Sequence, residues 1–284
     1  MAGFLRYLRL VVEHKILLPI LLLAKKLAGT PKDGLRVNIG GGYFCRPGWT
    51  CLDYKTGSYP YKLDYVDFNV NLMTHDPLPF ADGSVRYFYS AHTLEHIPQE
   101  YCDHIFAELY RCLAPGGVVR LSMPDFDILY DAYFRRDMEV FKYQRYKLDQ
   151  IEWAFLRAFA TGMAGQTPLE EVRADLQSLS KDDFADKYTG LVPRETQIAN
   201  GGNHINWFNY PKLERMLKAA GFTQVIRTGP QGSQVPEMRG EGNFLGLEHV
   251  VSLGRIVGFD TGHPQWSVFA EAVKTPAGKS GAPA

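Results

Sequence analysis

The sequence predicts an α/β fold built on a mostly parallel sheet with helices on both faces. Short apolar segments typical of buried strands alternate with segments of helical spacing, and Gly and Pro residues separate the two. The chain has 284 residues, of which 45% are hydrophobic and 22% are charged, a globular composition that supports one large domain. We also expect the last strand to run antiparallel to the others.

The predicted elements follow in a regular order along the chain. The expected strands are 35–39, 49–54, 84–90, 118–123, 223–227 and 267–273. One helix is expected to begin at Pro98 and to end at Pro115, and a second, 211–220, ends at Gly221. Residues 126–200 have a largely helical, aromatic-rich pattern, which indicates a helical insertion, and residues 275–284 are predicted to be a disordered tail.

The first 30 residues differ from the rest and predict an amphipathic helix. Their longest uncharged apolar run, Ile16–Ala24, has nine residues, whereas spanning a bilayer takes about 20. Two interpretations stay open: the helix packs on its own domain, or residues 1–28 lie on an anionic membrane surface. We expect a cytoplasmic protein, which on the second interpretation is peripheral on the cytoplasmic face of the membrane.

The charge balance argues against a nucleic-acid partner. Lys and Arg total 31, as do Asp and Glu, and five of the basic residues lie in the first 30 positions. A nucleic-acid-binding domain would carry more basic than acidic residues. The four cysteines show no paired CxxC spacing, so we expect reduced thiols and no metal site.

A glycine-rich turn indicates a nucleoside ligand. Gly40-Gly41-Gly42 follows the first strand directly, and Asp53 ends the second, where a carboxylate can accept hydrogen bonds from two ribose hydroxyls. A dinucleotide site would need a glycine where the chain has Cys45, and Pro47 leaves little room for a long crossover helix. A ligand with a ribose but no phosphate therefore fits better than NAD.

Four segments carry a specific family resemblance: LRVNIGGGYFCRPGWTCLD, NLMTHDPLPFADGSVRYFYSAHTLEHI, AELYRCLAPGGVVRLSMPD and NHINWFNYPKLERMLKAAGF. In this order they resemble class I S-adenosylmethionine-dependent methyltransferases. The chain is most similar to a bacterial, type-11-like group associated with glycan biosynthesis, in which GW…LD and HxLEH segments recur. The resemblance implies a Rossmann-like class I methyltransferase sheet over residues 31–274, with 126–200 as an insertion or acceptor lid, and S-adenosylmethionine as cofactor.

The same resemblance implies the residues that bind the cofactor: Gly40 and Gly42 at the methionine end, Asp53 at the ribose, and Asn71 with Leu72 beside the adenine. Three positions depart from the group's pattern. Asn38 and Asn71 replace acidic residues, and Phe44 replaces a loop glycine. These departures motivate an alternative, a catalytically inactive binding or scaffold protein with a methyltransferase fold.

The histidines are the candidate catalytic residues. His92 follows the strand 84–90, near the expected position of the sulfonium methyl, and could accept the proton of an acceptor hydroxyl. His96 shares its face if the turn is helical, and His204 lies beside a glycine-rich loop. Each could instead satisfy backbone groups, and Asp125 could contact the acceptor or cap a helix. The predicted reaction is O-methylation of a sugar, a glycan or a similar hydroxylated small molecule by in-line methyl transfer with a His general base.

Overall fold

The computed structural model describes residues 18–41, 46–55, 66–141, 150–195, 201–239 and 264–276. Its strands are β1 Leu35–Ile39, β2 Thr50–Asp53, β3 Phe68–Asn69, β4 Val85–Ala91, β5 Leu113–Pro124, β6 Gln224–Thr228 and β7 Ser267–Val273. They form one sheet in the order β3-β2-β1-β4-β5-β7-β6. Strands β1 to β5 are parallel, and β7 is antiparallel to both of its neighbours, β5 and β6. The predicted α/β class and the antiparallel last strand are confirmed.

The helices are α1 Leu18–Ala28, α2 Gln99–Cys112, α3 Phe126–Phe134, α4 Met138–Phe141, α5 Ile151–Phe159, α6 Leu169–Ser178, α7 Lys181–Gly190 and α8 Tyr210–Ala219. Helix α2 ends at Cys112, three residues before the predicted end at Pro115. The chain leaves the helix at Leu113, which is extended and already begins β5. Pro115 disfavours the helical conformation in the residue before it, which is consistent with this earlier exit.

Two apolar layers cover the sheet. On one face, α2 and α8 pack their apolar sides against Val37, Phe88 and Leu121 in the main core. On the other face, Trp49 and Tyr89 pack with Val235 and Met238 around a short 3₁₀ turn. The neighbouring residues Phe88 and Tyr89 of β4 thus serve opposite faces, as the two-residue period of a buried strand requires.

Helices α3 to α7 form a second apolar core of their own. Aromatic rings fill it, and Phe155 stacks on Phe184 with ring centroids 5.8 Å apart. Trp207 joins this core and donates its indole N–H to Asp186. The helical pattern predicted over 126–200 is therefore confirmed for the described part of that stretch, and its aromatic residues mainly serve packing.

Helix α1 lies within the segment predicted to be an N-terminal helix; residues 1–17 of that segment lie outside the described residues. Lys25 pairs with Asp67, which attaches the helix to the connection between β2 and β3. Ile20, Leu23 and Leu27 are 58%, 58% and 77% exposed. Within the described part of the chain, no helix is long and apolar enough to cross a bilayer.

Candidate functional site

The carboxyl ends of the central strands bring the predicted site residues to one edge of the sheet. Ile39 at the end of β1 is in register with Leu52 of β2 and with Ser90 of β4. Gly40 and His92 follow β1 and β4 directly, and Asp53 is the last residue of β2. Ligands of open parallel sheets bind at this edge, so the fold places the proposed cofactor and catalytic positions side by side.

Gly40 has a left-handed backbone, with φ at +65°, and its N–H donates to Leu52 O at 2.8 Å. A Cβ at this position would lie 2.1 Å from Thr93 Oγ1, closer than atoms can approach. The glycine is thus needed for the turn after His92 to pack against the loop after β1. Gly42, the other predicted glycine, lies outside the described residues.

Replacing Gly40 with alanine should lower the free energy of unfolding more than the matched change Gly83→Ala. Gly83 has the same φ, +66°, but a Cβ there would meet no atom within 4 Å. Both variants carry the strain of a left-handed alanine, about 1–2 kcal/mol. Only Gly40→Ala adds the clash with Thr93, which should make it about 1 kcal/mol or more worse than Gly83→Ala in urea denaturation. Equal losses of unfolding free energy in the two variants would mean that a Cβ at position 40 does not clash with Thr93.

The predicted ribose and adenine residues lie on the β2 and β3 side of the same edge. Asp53 is partly exposed, and its Oδ1 accepts from the N–H of Tyr54 at 2.7 Å. Asn71 Oδ1 accepts from Met73 N–H at 2.9 Å, while Leu72 packs into the main core. A carboxylate that accepts and an amide that both accepts and donates suit a ribose diol and an adenine edge, so these residues fit an adenosyl group.

His92 combines a strained backbone with two polar contacts. Its φ is +51°, and among the described residues only Arg136 is another non-glycine residue with positive φ. Its Nδ1 lies 3.1 Å from Glu95 Oε1, and its Nε2 lies 3.1 Å from Ser267 Oγ at the start of β7. Strain of this kind concentrates at active sites, where the surrounding structure holds a side chain in place.

Glu95 is the buried centre of a group of three histidines. It is 1% exposed, and neither carboxylate oxygen has a hydrogen-bond partner of good geometry among the described residues. The contact between His92 Nδ1 and Glu95 Oε1 is close, at 3.1 Å, but poorly aligned. Burial acts to raise the pKa of Glu95, but His92, His96 and His204 outweigh it and lower that pKa to about 2. Glu95 is accordingly ionised at neutral pH.

His96 and His204 are held by backbone carbonyls. His96 Nδ1 lies 2.9 Å from Asn203 O, and His204 Nδ1 lies 2.6 Å from Ala158 O. A carbonyl can only accept, so Nδ1 carries the proton in both rings. Burial, together with neighbouring His96, lowers the pKa of His204 to about 4, so that His204 is neutral at pH 7. The Nε2 atom of His92, the third predicted catalytic histidine, lies 3.1 Å from the Ser267 hydroxyl.

The suggestion that Asp125 contacts the acceptor is wrong. Its side chain is fully buried, caps α3 by accepting from Asp127 N–H at 3.1 Å, and pairs with Arg227 at 2.7 Å. These contacts match the helix-cap interpretation. Sequence reasoning also missed Ser267, because nothing in the pattern of β7 indicates that its first residue meets His92.

Comparison with known proteins finds one family model that matches part of this edge. Residues 52–121 match the family model described as a methyltransferase domain, and the match runs from β2 through β5. It therefore includes both Asp53 and His92. No curated protein is significantly similar to this chain in sequence.

Solved methyltransferase structures resemble the chain only remotely. A possible histamine N-methyltransferase from Thermotoga maritima is 16% identical, with 95% of each chain covered and a TM-score of 0.39. Human N-acetylserotonin methyltransferase in complex with S-adenosylmethionine is 14% identical, covering 96% of this chain and 55% of that one, with a TM-score of 0.38. Phosphoethanolamine N-methyltransferase 2 from Haemonchus contortus is 16% identical, covering 91% and 53%, with a TM-score of 0.37. At such TM-scores the likeness assigns neither substrate nor mechanism.

The sheet order and the family match together support the assignment of a methyltransferase domain. The strands run in the doubly wound order, with an antiparallel β7 inserted beside β5. The matched segment supplies the strand ends that hold Asp53 and His92. The chain therefore contains a methyltransferase domain with a Rossmann-like α/β fold, for which S-adenosylmethionine is the cofactor.

Proposed function

We propose that this enzyme methylates a hydroxyl group of a sugar, a glycan or a related polyhydroxylated acceptor, with His92 as general base. One observation carries the proposal: His92 Nε2 lies 3.1 Å from the Ser267 hydroxyl, at the strand edge where class I enzymes present the methyl group. The ring nitrogen is thus within hydrogen-bond reach of an oxygen in the resting protein. An acceptor hydroxyl bound in place of the Ser267 hydroxyl, or beside it, would lie within hydrogen-bond reach of His92 Nε2.

The proton transfer follows from the contacts of His92. When bound, S-adenosylmethionine supplies an electrophilic methyl group, so that an O–CH₃ bond forms as the S–CH₃ bond breaks. The acceptor proton passes to His92 Nε2, and the ionised carboxylate of Glu95, 3.1 Å from Nδ1, stabilises the resulting positive charge on the ring. Asp53 would hold the ribose and Asn71 the adenine, with the Gly40 loop beside the methionine end.

A panel of acceptors tests the proposal directly. Free sugars, glycosides and nucleotide sugars are incubated with S-adenosylmethionine carrying a labelled methyl group, beside primary amines and carboxylic acids. We expect a labelled product that survives mild alkali, as a methyl ether does and a methyl ester does not. Exclusive labelling of an amine or an acid would refute O-methylation. Turnover with any acceptor would remove the inactive-scaffold alternative.

We also propose that residues 1–28 bind the anionic surface of the cytoplasmic membrane. The support is the row Ile20, Leu23 and Leu27 on one side of α1, all more than half exposed, with the exposed Lys26 in its last turn. Such a row can enter the boundary between headgroups and acyl chains while basic side chains meet anionic lipid.

Vesicle sedimentation tests this proposal. The protein should pellet with vesicles containing phosphatidylglycerol, and the triple change Ile20→Ser, Leu23→Ser, Leu27→Ser should weaken binding by about tenfold or more through lost apolar burial. Phe134→Ser is the matched control, because Phe134 is 56% exposed on α3, a different helix. Equal binding by the triple variant and the control would show that α1 makes no membrane contact.

A further inference from the structure

We infer that Glu95, His96 and His204 form a binding site for a divalent transition-metal ion, with Zn²⁺ as the best match. One carboxylate oxygen of Glu95 and one ring nitrogen of each histidine lie within 4.8 Å of one another. No metal was expected from the sequence, and no local spacing indicates this site, because 109 positions separate Glu95 from His204. The fold joins them: Ile205 and Asn206 donate their N–H groups to Glu95 O at 2.9 and 3.1 Å.

Both histidines are fixed in the tautomer that a metal ligand needs. Their Nδ1 atoms donate to the carbonyls of Asn203 and Ala158, so the lone pair of each ring is on Nε2. Hydrogen bonds from the far ring nitrogen to a backbone carbonyl orient metal-binding histidines and raise their basicity as ligands. The Nε2 atom of His96 lies 3.9 Å from Glu95 Oε1, so its lone-pair nitrogen is beside the carboxylate.

The Glu95 carboxylate supplies the independent reason to expect a cation. It is 1% exposed, its Oε1 lies 3.1 Å from His92 Nδ1, and neither oxygen has a well-formed hydrogen bond among the described residues. A buried charge without such partners is costly unless it is paired or coordinates a metal. A metal ion bound by Glu95, His96 and His204 would both pair with the buried carboxylate and be coordinated by it.

The donor set selects the class of ion. Two imidazoles and one carboxylate are the ligands of catalytic zinc sites, which keep a fourth position open, whereas Ca²⁺ and Mg²⁺ prefer oxygen ligands throughout. Zn–N and Zn–O bonds of about 2.0–2.2 Å would set the ligand atoms about 3.3 Å apart in a tetrahedron. The present separations of 3.9 Å to at most 4.8 Å need an inward shift of about 1 Å, which side-chain rotation supplies.

The test is Zn²⁺ binding by the full-length protein. Protein stripped with a chelator is titrated with Zn²⁺ in a calorimeter, and the metal retained after dialysis is measured by mass spectrometry. We expect about one ion per chain and a loss of affinity of about 100-fold or more in His96→Ala and His204→Ala. His104→Ala is the control, because its ring contacts the carbonyl of Asp76 and lies outside the cluster.

Two further measurements make the outcome decisive. X-ray absorption of the Zn²⁺-loaded wild-type protein needs no variant, and it should show nitrogen and oxygen ligands with imidazole scattering. Sulfur ligands, or folded wild-type protein that retains no Zn²⁺, would overturn the site, as would unchanged affinity in the His96→Ala, His204→Ala double variant. Binding of S-adenosylhomocysteine is measured on the same samples. Because the metal readout does not depend on activity, failure of the metal site and failure of the proposed O-methylation are distinguishable.

Discussion

Replacing His92 with asparagine should lower turnover by about 10²–10⁴-fold, the usual contribution of a general base. This corresponds to a rise in the activation free energy of about 2.7–5.5 kcal/mol. The affinity for S-adenosylhomocysteine should not change, because the proposed proton transfer occurs only in the transition state. Turnover is measured with the acceptor found in the panel, and affinity by calorimetry.

Asparagine is the appropriate substitute because of the backbone. His92 has φ at +51°, a conformation that asparagine adopts more readily than alanine. The variant therefore removes the base while adding little strain. His104→Asn is the matched control, since it also removes an imidazole, but one on α2 that lies away from the cluster. If His92→Asn turned over as fast as this control, His92 would not be the base.

The fold was predictable because its signals are local. Strand β1 is a short apolar run closed by Gly40, and β7 is predicted to the residue, Ser267–Val273. The strand that was missed, β3, has only two residues, Phe68 and Asn69, too few for any periodic pattern. It forms because Leu52 and Asp53 of β2 provide a paired edge for it, a tertiary cause that local sequence does not contain.

The site was predictable only in part, for the same reason. His92 and Asp53 could be found because each sits at the end of a recognisable strand. Ser267 could not be found, since its importance comes from a contact across the fold. Ser267 lies 175 residues from His92 along the chain, yet the antiparallel return of β7 beside β5 brings the two side chains to 3.1 Å.

Replacing Asp53 with alanine should weaken the binding of S-adenosylhomocysteine by about 100-fold. The Asp53 carboxylate is proposed to accept hydrogen bonds from two ribose hydroxyls. Hydrogen bonds to a charged group contribute about 1.5–3 kcal/mol each, and water that replaces the carboxylate partly offsets the loss of both. Asp53→Asn keeps the shape and one acceptor oxygen, and we expect it to lie between wild type and Asp53→Ala. Calorimetric titration with S-adenosylhomocysteine measures all three proteins without any acceptor.

The control must separate ribose binding from local structure, because Asp53 Oδ1 also accepts from the N–H of Tyr54 at 2.7 Å. Asp76→Ala removes an exposed carboxylate from the loop after Asn71 and should leave affinity unchanged. Thermal unfolding of Asp53→Ala then shows how much stability the Tyr54 contact contributes. Since a hydrogen bond at the surface is worth about 1 kcal/mol, the variant should remain folded while its affinity falls. Full affinity in a folded Asp53→Ala protein would place the ribose elsewhere on this edge.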